Sequence, residues 1–339
     1  MKAITILKPN QMKLLEVEKP VITEPDQVLV KIRATGICGS DVHVYHGTNP
    51  YASYPRVIGH EAAGEIEAVG ENVTDLKPGD GVVLEPITYC GECYACRNGH
   101  HNVCRELKVL GCIADGTFRE YMVVPRSQVY PFDPSRMSYV QAAVCEPYTI
   151  AAQANWRGDV RPGDKVLVHG AGPIGLLTAD IAKSRGATVI VSEPNESRLV
   201  MAKNFGADYG VNPRKEDLDE FIGKLTQGEG VNVVFEAAGI PALISHAVHI
   251  LSPAGRFVAM TYGKEPVPIN FKEINAKELT ILGTRHQYQK FPEIIEQLPE
   301  RLDRVDELIT HVFPVEKYEE AFAVLEDKES GAGKVVLTF

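Results

Sequence analysis

Three features that other protein classes rely on are scarce or missing here: long apolar runs, an excess of basic charge, and cysteine spread along the chain. No apolar stretch among the 339 residues is long enough to span a bilayer, which excludes a helical membrane segment. Lys and Arg number 35 against 45 Asp and Glu, and a net charge of −10 argues against binding a phosphate backbone as the main activity. The opening, MKAITILKPNQMK, has neither the sustained apolar stretch nor the small-residue cleavage site of a secretion signal. The expected location is therefore the cytoplasm, where thiols stay reduced. Only Cys38, Cys112 and Cys145 lie outside one short cluster, and an odd total of seven argues against a complete disulfide framework. Internal repeats and low-complexity segments are absent as well. What remains is the composition of a globular protein, 44% hydrophobic and 24% charged, at a length that favours two domains over one core.

The other four thiols are concentrated. CGECYACRNGHHNVC places Cys90, Cys93, Cys96 and Cys104 in the spacing C-x2-C-x2-C-x7-C. Soft ligands this close in sequence can surround one tetrahedral zinc at roughly 2.3 Å per sulfur. With every position filled by protein, no place is left for water or substrate. The expected task is structural, pinning a lobe at about residues 88–106 that lacks a regular hydrogen-bond ladder. An iron–sulfur cluster or a disulfide pair is the competing reading of the same thiols.

Along the chain, the first 135 or so residues read as short strands split by Gly- and Pro-rich turns: KAITIL, QVLVKIRATGI, GEIEAVG, GDGVVLEP and FREYMVVP. Helical spacing sets in near SYVQAAVCEPYTIAAQANW. From Lys165 to about Gly283 apolar strands alternate with helical segments, the pattern of a parallel sheet with crossover helices, so the predicted class is α/β with a β-rich first domain. The tail YEEAFAVLEDKESGAGKVVLTF reads as a helix, a Gly-rich turn and a strand that can rejoin the first domain.

Gly170-Ala-Gly-Pro-Ile-Gly175 follows the apolar strand KVLVH and opens a helix, the context that the dinucleotide-binding fingerprint requires. In this motif Gly170 permits the tight turn, Gly172 lets the backbone approach a pyrophosphate, and Gly175 allows close packing of helix on strand; Pro173 and Ile174 complete the loop. Glu193 ends the next strand, where a carboxylate accepts from an adenosine ribose 2′-OH and repels a 2′-phosphate, favouring NAD over NADP. Arg198 lies near enough to complicate that preference, or is a solvated residue of the next helix.

Cys38 in GICGSDVH, His60 in GHE and Glu146 in CEPY are of types that bind zinc, and a Cys, a His and a carboxylate meet the count of a catalytic site with one open position. On spacing alone, a buried Cys or His is more often a core residue than a ligand.

GHEAAGEIEAVGENV, Gly59 to Val73, fits G-H-E-x2-G-x5-G-x2-V throughout. With the four-cysteine lobe, the CGSD motif and the glycine fingerprint in this order, the whole chain resembles the zinc-containing medium-chain alcohol dehydrogenases, in their sorbitol, threonine and sugar-acid branch. The resemblance implies a GroES-like catalytic domain (1–147 and 284–339) carrying the zinc lobe, a Rossmann domain (148–283), two zincs per chain and NAD. It implies Cys38 and His60 as catalytic zinc ligands and Glu61 as an exchangeable or outer ligand. Where many members have a third cysteine ligand, the polyol branch has a Glu, so Glu61, Glu146 or water completes the shell; adjacent positions point apart, which favours Glu146 over Cys145. Ser40 and His43 match the family's proton relay, Ser40 taking the alcohol proton and passing it through the nicotinamide ribose to His43; a helix cap and a surface imidazole are the alternative roles. Arg285 matches an arginine near the substrate hydroxyls, with an interface ion pair as the competing role. Tyr45, His46 and Tyr51 are candidates for the pocket mouth. The implied substrate is a sugar acid of L-gulonate or L-galactonate type, with L-threonine or a polyol as the alternative, and the implied assembly a homodimer or homotetramer without nucleic-acid or membrane partners. A non-catalytic nucleotide-binding protein is the reading from another class.

Overall fold

The computed structural model describes residues 1–263, 265–327 and 329–339. The chain divides into two compact units, Met1–Glu146 with Tyr288–Phe339, and Pro147–Gln287.

The first unit is built on one long strand, Gln27–Ile37, whose sequence QVLVKIRATGI supplies β-branched residues and buries nearly every side chain. It pairs antiparallel with Glu61–Val69 on one side, and with Tyr121–Pro125 and the C-terminal strand Lys334–Thr338 along the other. The last of these also runs parallel to Ile309–Pro314, so the chain's tail is woven into the same seven-stranded sheet as its beginning. Two register shifts between Gln27–Ile37 and Glu61–Val69 mark bulges, which bend a strand and re-aim its side chains. The register sets Gly36 opposite Glu61, and a Cβ on Gly36 would lie 2.1 Å from a Glu61 carboxylate oxygen. Only glycine leaves that carboxylate room to lie across the strand. Two apolar clusters, one around Ile4, Ile6, Ile37, Phe118 and Phe322 and one around Val30, Ile32, Ile66, Val82 and Met122, hold the sheets. Each such buried side chain contributes roughly 1.5–3 kcal/mol.

The second unit contains a six-stranded, wholly parallel sheet. Counted in chain order, its strands (Lys165–His169, Thr188–Ser192, Tyr209–Val211, Val231–Glu236, Leu251–Ala259 and Thr280–Gly283) lie 3-2-1-4-5-6. Order reverses between Lys165–His169 and Val231–Glu236, and that is where the carboxyl ends of such a sheet open a crevice for ligands. Both strands are buried on both faces, which explains their unbroken apolar sequences. Among the described residues, no helix is long and apolar enough to cross a membrane.

Candidate active site and metal centres

The inner centre starts from a short helix. Cys38 is the N-cap of Gly39–Tyr45, and Asp41, three residues on, reaches back to accept the Cys38 backbone N–H at 2.9 Å, closing a capping box. The same carboxylate accepts the Gly59 N–H at 3.0 Å and lies 3.5 Å from Nδ1 of His60. One buried aspartate thus ties the CGSD turn to the GHE turn and fixes the His60 ring, leaving Nε2 to face inward. Ser40 Oγ stands 3.5 Å from that Nε2. Ligand atoms of Cys38, His60 and Glu61 all lie within 4.8 Å of one another.

Glu61 is not alone. Lys334, on the C-terminal strand, donates to both of its carboxylate oxygens at 2.7 and 2.8 Å, with both side chains buried. Burial pulls the Lys334 ammonium down, but Glu61 and Cys38 more than offset it and leave its pKa above the usual value. Glu146, in the first turn of the helix Cys145–Arg157, is buried within electrostatic reach of His60, Glu61 and Lys334 but is outside the three-residue group. Burial pushes its carboxyl up to about 7, with His60 opposing and Glu61 adding to the shift. The neighbouring Cys145 thiol is fully buried and pushed up by that burial, so it stays protonated. Burial pulls His60 down, yet Asp41 and Cys38 hold it well above its ordinary value, which means the position favours positive charge. Three carboxylates and a thiol gathered around one ammonium and one imidazole form an anionic donor set, and a divalent cation on Cys38 and His60 fits it.

His43, on the helix Gly39–Tyr45, is exposed and shares a hydrogen bond of 2.9 Å between its Nδ1 and Thr48 Oγ1. Two of the three candidates for a pocket mouth are engaged elsewhere. The Tyr45 ring packs on Phe322, and His46 pairs with Asn10 and Glu326. Tyr51 is exposed. Arg285 follows the strand Thr280–Gly283 within the second unit and is partly buried.

In the outer lobe, sulfur–sulfur separations are 3.4 Å for Cys90–Cys104, 3.5 Å for Cys93–Cys96 and 3.8 Å for Cys93–Cys104. A tetrahedral zinc at roughly 2.3 Å per sulfur sets its ligands about 3.8 Å apart, so this cluster has the size of that ion's shell. No sulfur is bonded to another. Backbone N–H groups of Cys90 and Glu106 donate to Cys104 Sγ at 3.3 and 3.2 Å. Such donors also pull the Cys93 thiol down to about 6, whereas burial raises Cys96. The lobe's own apolar cluster consists of Ile87, Leu107, Val109 and the cysteines, too little to order it without a metal.

In the second unit, the helix Pro173–Ser184 begins at Gly172 without a side-chain cap, leaving its first N–H groups available to an anion. Gly170 has φ +94°, and a Cβ there would lie 3.2 Å from Ala238. A Cβ on Gly175 would meet the Gly170 carbonyl oxygen at 2.0 Å, whereas one on Gly172 would point into open space. The fingerprint's glycines are therefore needed for turn and packing at 170 and 175 and keep an approach open at 172, where Pro173 and Ile174 start the helix. Glu193 is buried at the carboxyl end of the second strand, accepting N–H from Ala171 at 2.9 Å and Asn195 at 3.0 Å. Arg198 is exposed in the first turn of Glu196–Asn204.

Sequence reasoning missed Asp41, Lys334 and Glu236. Asp41 had a signal, since an acid three residues after a helix start marks a capping box. Lys334 had none, as its partner lies 273 residues away.

Comparison with known proteins gives the family and the fold. Residues 24–134 match the alcohol dehydrogenase GroES-like domain, and residues 173–300 match the zinc-binding dehydrogenase domain. The starvation-sensing protein RspB of Escherichia coli K12 is 40% identical, covering 100% of this chain and 99% of its own. A crystal structure of RspB from E. coli CFT073 with NADH superposes with a TM-score of 0.93 at 40% identity, covering 100% and 99%. L-threonine 3-dehydrogenase of Pyrococcus furiosus is 38% identical (99% and 98% covered), and L-galactonate-5-dehydrogenase of E. coli K12 33% identical (100% and 99%).

Proposed function

The chain belongs to the zinc-binding dehydrogenases with an alcohol dehydrogenase GroES-like domain, and from that membership we propose that it oxidises a secondary alcohol of a sugar acid, of L-gulonate or L-galactonate type, to a ketone with NAD as acceptor. The observation that carries this reading is the convergence of Cys38, His60 and Glu61 within 4.8 Å, with Ser40 beside His60.

When bound, zinc eases ionisation of the substrate hydroxyl and NAD accepts the hydride. Cys38 and His60 hold the metal, and Asp41 keeps the His60 ring in the ligating orientation. Lys334 neutralises Glu61 and fixes it beside the centre; Glu61, Glu146 or a water completes the shell. Ser40 takes the hydroxyl proton, and His43, exposed and hydrogen-bonded to Thr48, releases it to solvent. Cys90, Cys93, Cys96 and Cys104 hold a second, structural zinc.

Glu193 supports NAD over NADP, and Glu193→Ala should weaken NAD binding by about tenfold or more while NADP changes little. Equal losses would mean that the carboxylate does not read the ribose. The 33% identity to an L-galactonate-5-dehydrogenase supports the sugar-acid substrate, and Arg285 is its candidate contact. The 38% identity to an L-threonine 3-dehydrogenase favours a second reading, L-threonine. NAD reduction followed by absorbance across aldonates, polyols and threonine separates them. Turnover with L-gulonate or L-galactonate is expected; turnover with threonine alone selects the second reading, and NADH binding without turnover of any substrate selects a non-catalytic protein. We also propose a cytoplasmic homodimer or homotetramer, supported by the exposed side chains of the edge strand Thr280–Gly283. Analytical ultracentrifugation finding only monomer would remove that assembly.

A further inference from the structure

Two glutamates end strands on either side of the point where the parallel sheet reverses its order, and they are used differently. Glu193 follows Thr188–Ser192 and receives a single N–H on each carboxylate oxygen, from Ala171 and from Asn195. A carboxylate offers about four acceptor sites, so Glu193 keeps capacity for a ligand's hydroxyls. Glu236, the last residue of Val231–Glu236, is 0% exposed and its capacity is filled. Its Oε1 accepts the N–H groups of Ala238, Gly239 and Ile240 at 2.9, 2.7 and 3.3 Å, and its Oε2 accepts the Thr261 hydroxyl at 2.6 Å.

These bonds tie the turn that follows the strand to Thr261. The turn 237–240 leaves the sheet at the reversal point, with the Ala237 N–H on the His169 carbonyl at 3.0 Å. Ala238 sits so close to Gly170 that a Cβ there would lie 3.2 Å away. Gly239 takes φ +73°, which wraps the turn around the carboxylate. Thr261 comes from beyond the next strand, Leu251–Ala259. Three successive N–H groups at the end of a strand have no ladder to join, and one buried anion satisfies all of them.

We propose that Glu236 is a positioning residue for the nicotinamide half of the dinucleotide, clamping 238–240 and Thr261 into the wall on which that half rests. The inference builds on the dinucleotide reading of this unit. Such a sheet consists of two mononucleotide-binding halves, and the fingerprint loop with Glu193 takes the adenosine half, so the half carried by Val231–Glu236 receives the other end. Glu236 touches no ligand itself. It acts through the backbone it holds.

The test compares two probes on the purified full-chain protein, NADH by its fluorescence and ADP-ribose, which lacks nicotinamide, by calorimetry. Glu236→Ala should raise the Kd for NADH by about tenfold or more, the scale of a buried donor left unpaired, and that for ADP-ribose by no more than about twofold. Zinc content should stay at the wild-type level. Glu236→Gln keeps a carbonyl for the three N–H groups and should hold the NADH Kd within about threefold of wild type. Thr261→Val removes only the hydroxyl and should raise the ratio of NADH to ADP-ribose Kd by about threefold. Should Glu236→Ala fail to fold, that ratio in Thr261→Val decides. Equal loss of both probes, or no change in the ratio, overturns the assignment. A wild-type protein that binds neither probe overturns the dinucleotide reading together with it.

Discussion

The two cysteine-bearing centres of the first unit are built on opposite plans. The outer lobe draws four thiols from fifteen consecutive residues, with sulfur–sulfur separations of 3.4 to 3.8 Å across Cys90–Cys104, Cys93–Cys96 and Cys93–Cys104. The inner centre takes one thiol, one imidazole and one carboxylate from two turns, joins them through Asp41, and balances Glu61 with a lysine from the far end of the chain. A closed all-sulfur shell leaves a metal nothing to do but hold the fold; a mixed shell that protein does not fill leaves a position for chemistry. Placement follows the same logic. The lobe's core is small enough to need the ion, whereas the inner centre rests on a sheet whose apolar clusters order it independently.

Breaking the inner shell should therefore end activity and spare the fold. Cys38→Ser is expected to lower turnover by about a thousandfold, the equivalent of several kcal/mol of lost charge stabilisation, and to remove one zinc per chain with Tm nearly unchanged. Steady-state kinetics with metal analysis checks this, and retention of both zincs would remove Cys38 from the ligand set. Asp41→Asn loosens the His60 ring without deleting a ligand, so inner-metal affinity should fall by about ten- to a hundredfold, measured by competition with a zinc chelator. The outer lobe should keep its own metal in that variant. His43→Ala sharpens the comparison on the proton side. Turnover should drop by about tenfold at low pH and converge on wild type at high pH, because deprotonation by solvent becomes easier as pH rises. A pH profile shifted equally throughout would assign His43 a packing role. Cys104→Ser has the smallest expected effect on chemistry: turnover within about threefold of wild type at 25 °C, but Tm lower by roughly 10 °C and proteolysis within 88–106. Loss of turnover with Tm intact would reverse the assignment of roles.

How much of this was legible in the sequence followed the same division. The clustering of the lobe's thiols could be read directly, because they are neighbours in the chain, and so could the parallel sheet, whose strands are doubly buried and therefore uniformly apolar. The glycine fingerprint was legible because Gly170 and Gly175 are fixed by local sterics. The inner centre was not. Spacing left Cys38, His60 and Glu146 as one choice among buried residues, and it was a family resemblance that singled out Cys38 and His60. The Lys334–Glu61 pair arises from strand register, since Val335 lies opposite Ile37 and Gly36 opposite Glu61, and no local pattern records that. Glu236 escaped for a related reason: an acid closing an apolar strand looks like Glu193 in sequence, and only the count of donors around it tells the two apart. Tyr45 looked available for a pocket because nothing near it in sequence announces Phe322.

The division of labour between the two centres is tested most directly by graded chelation of the wild-type protein, with released zinc, dehydrogenase activity and Tm followed in the same samples. Activity should vanish as the first zinc per chain leaves while Tm holds, and Tm should collapse only with the second. Activity that survives loss of the first zinc, or that declines only in step with Tm, would contradict a catalytic metal at Cys38 and His60.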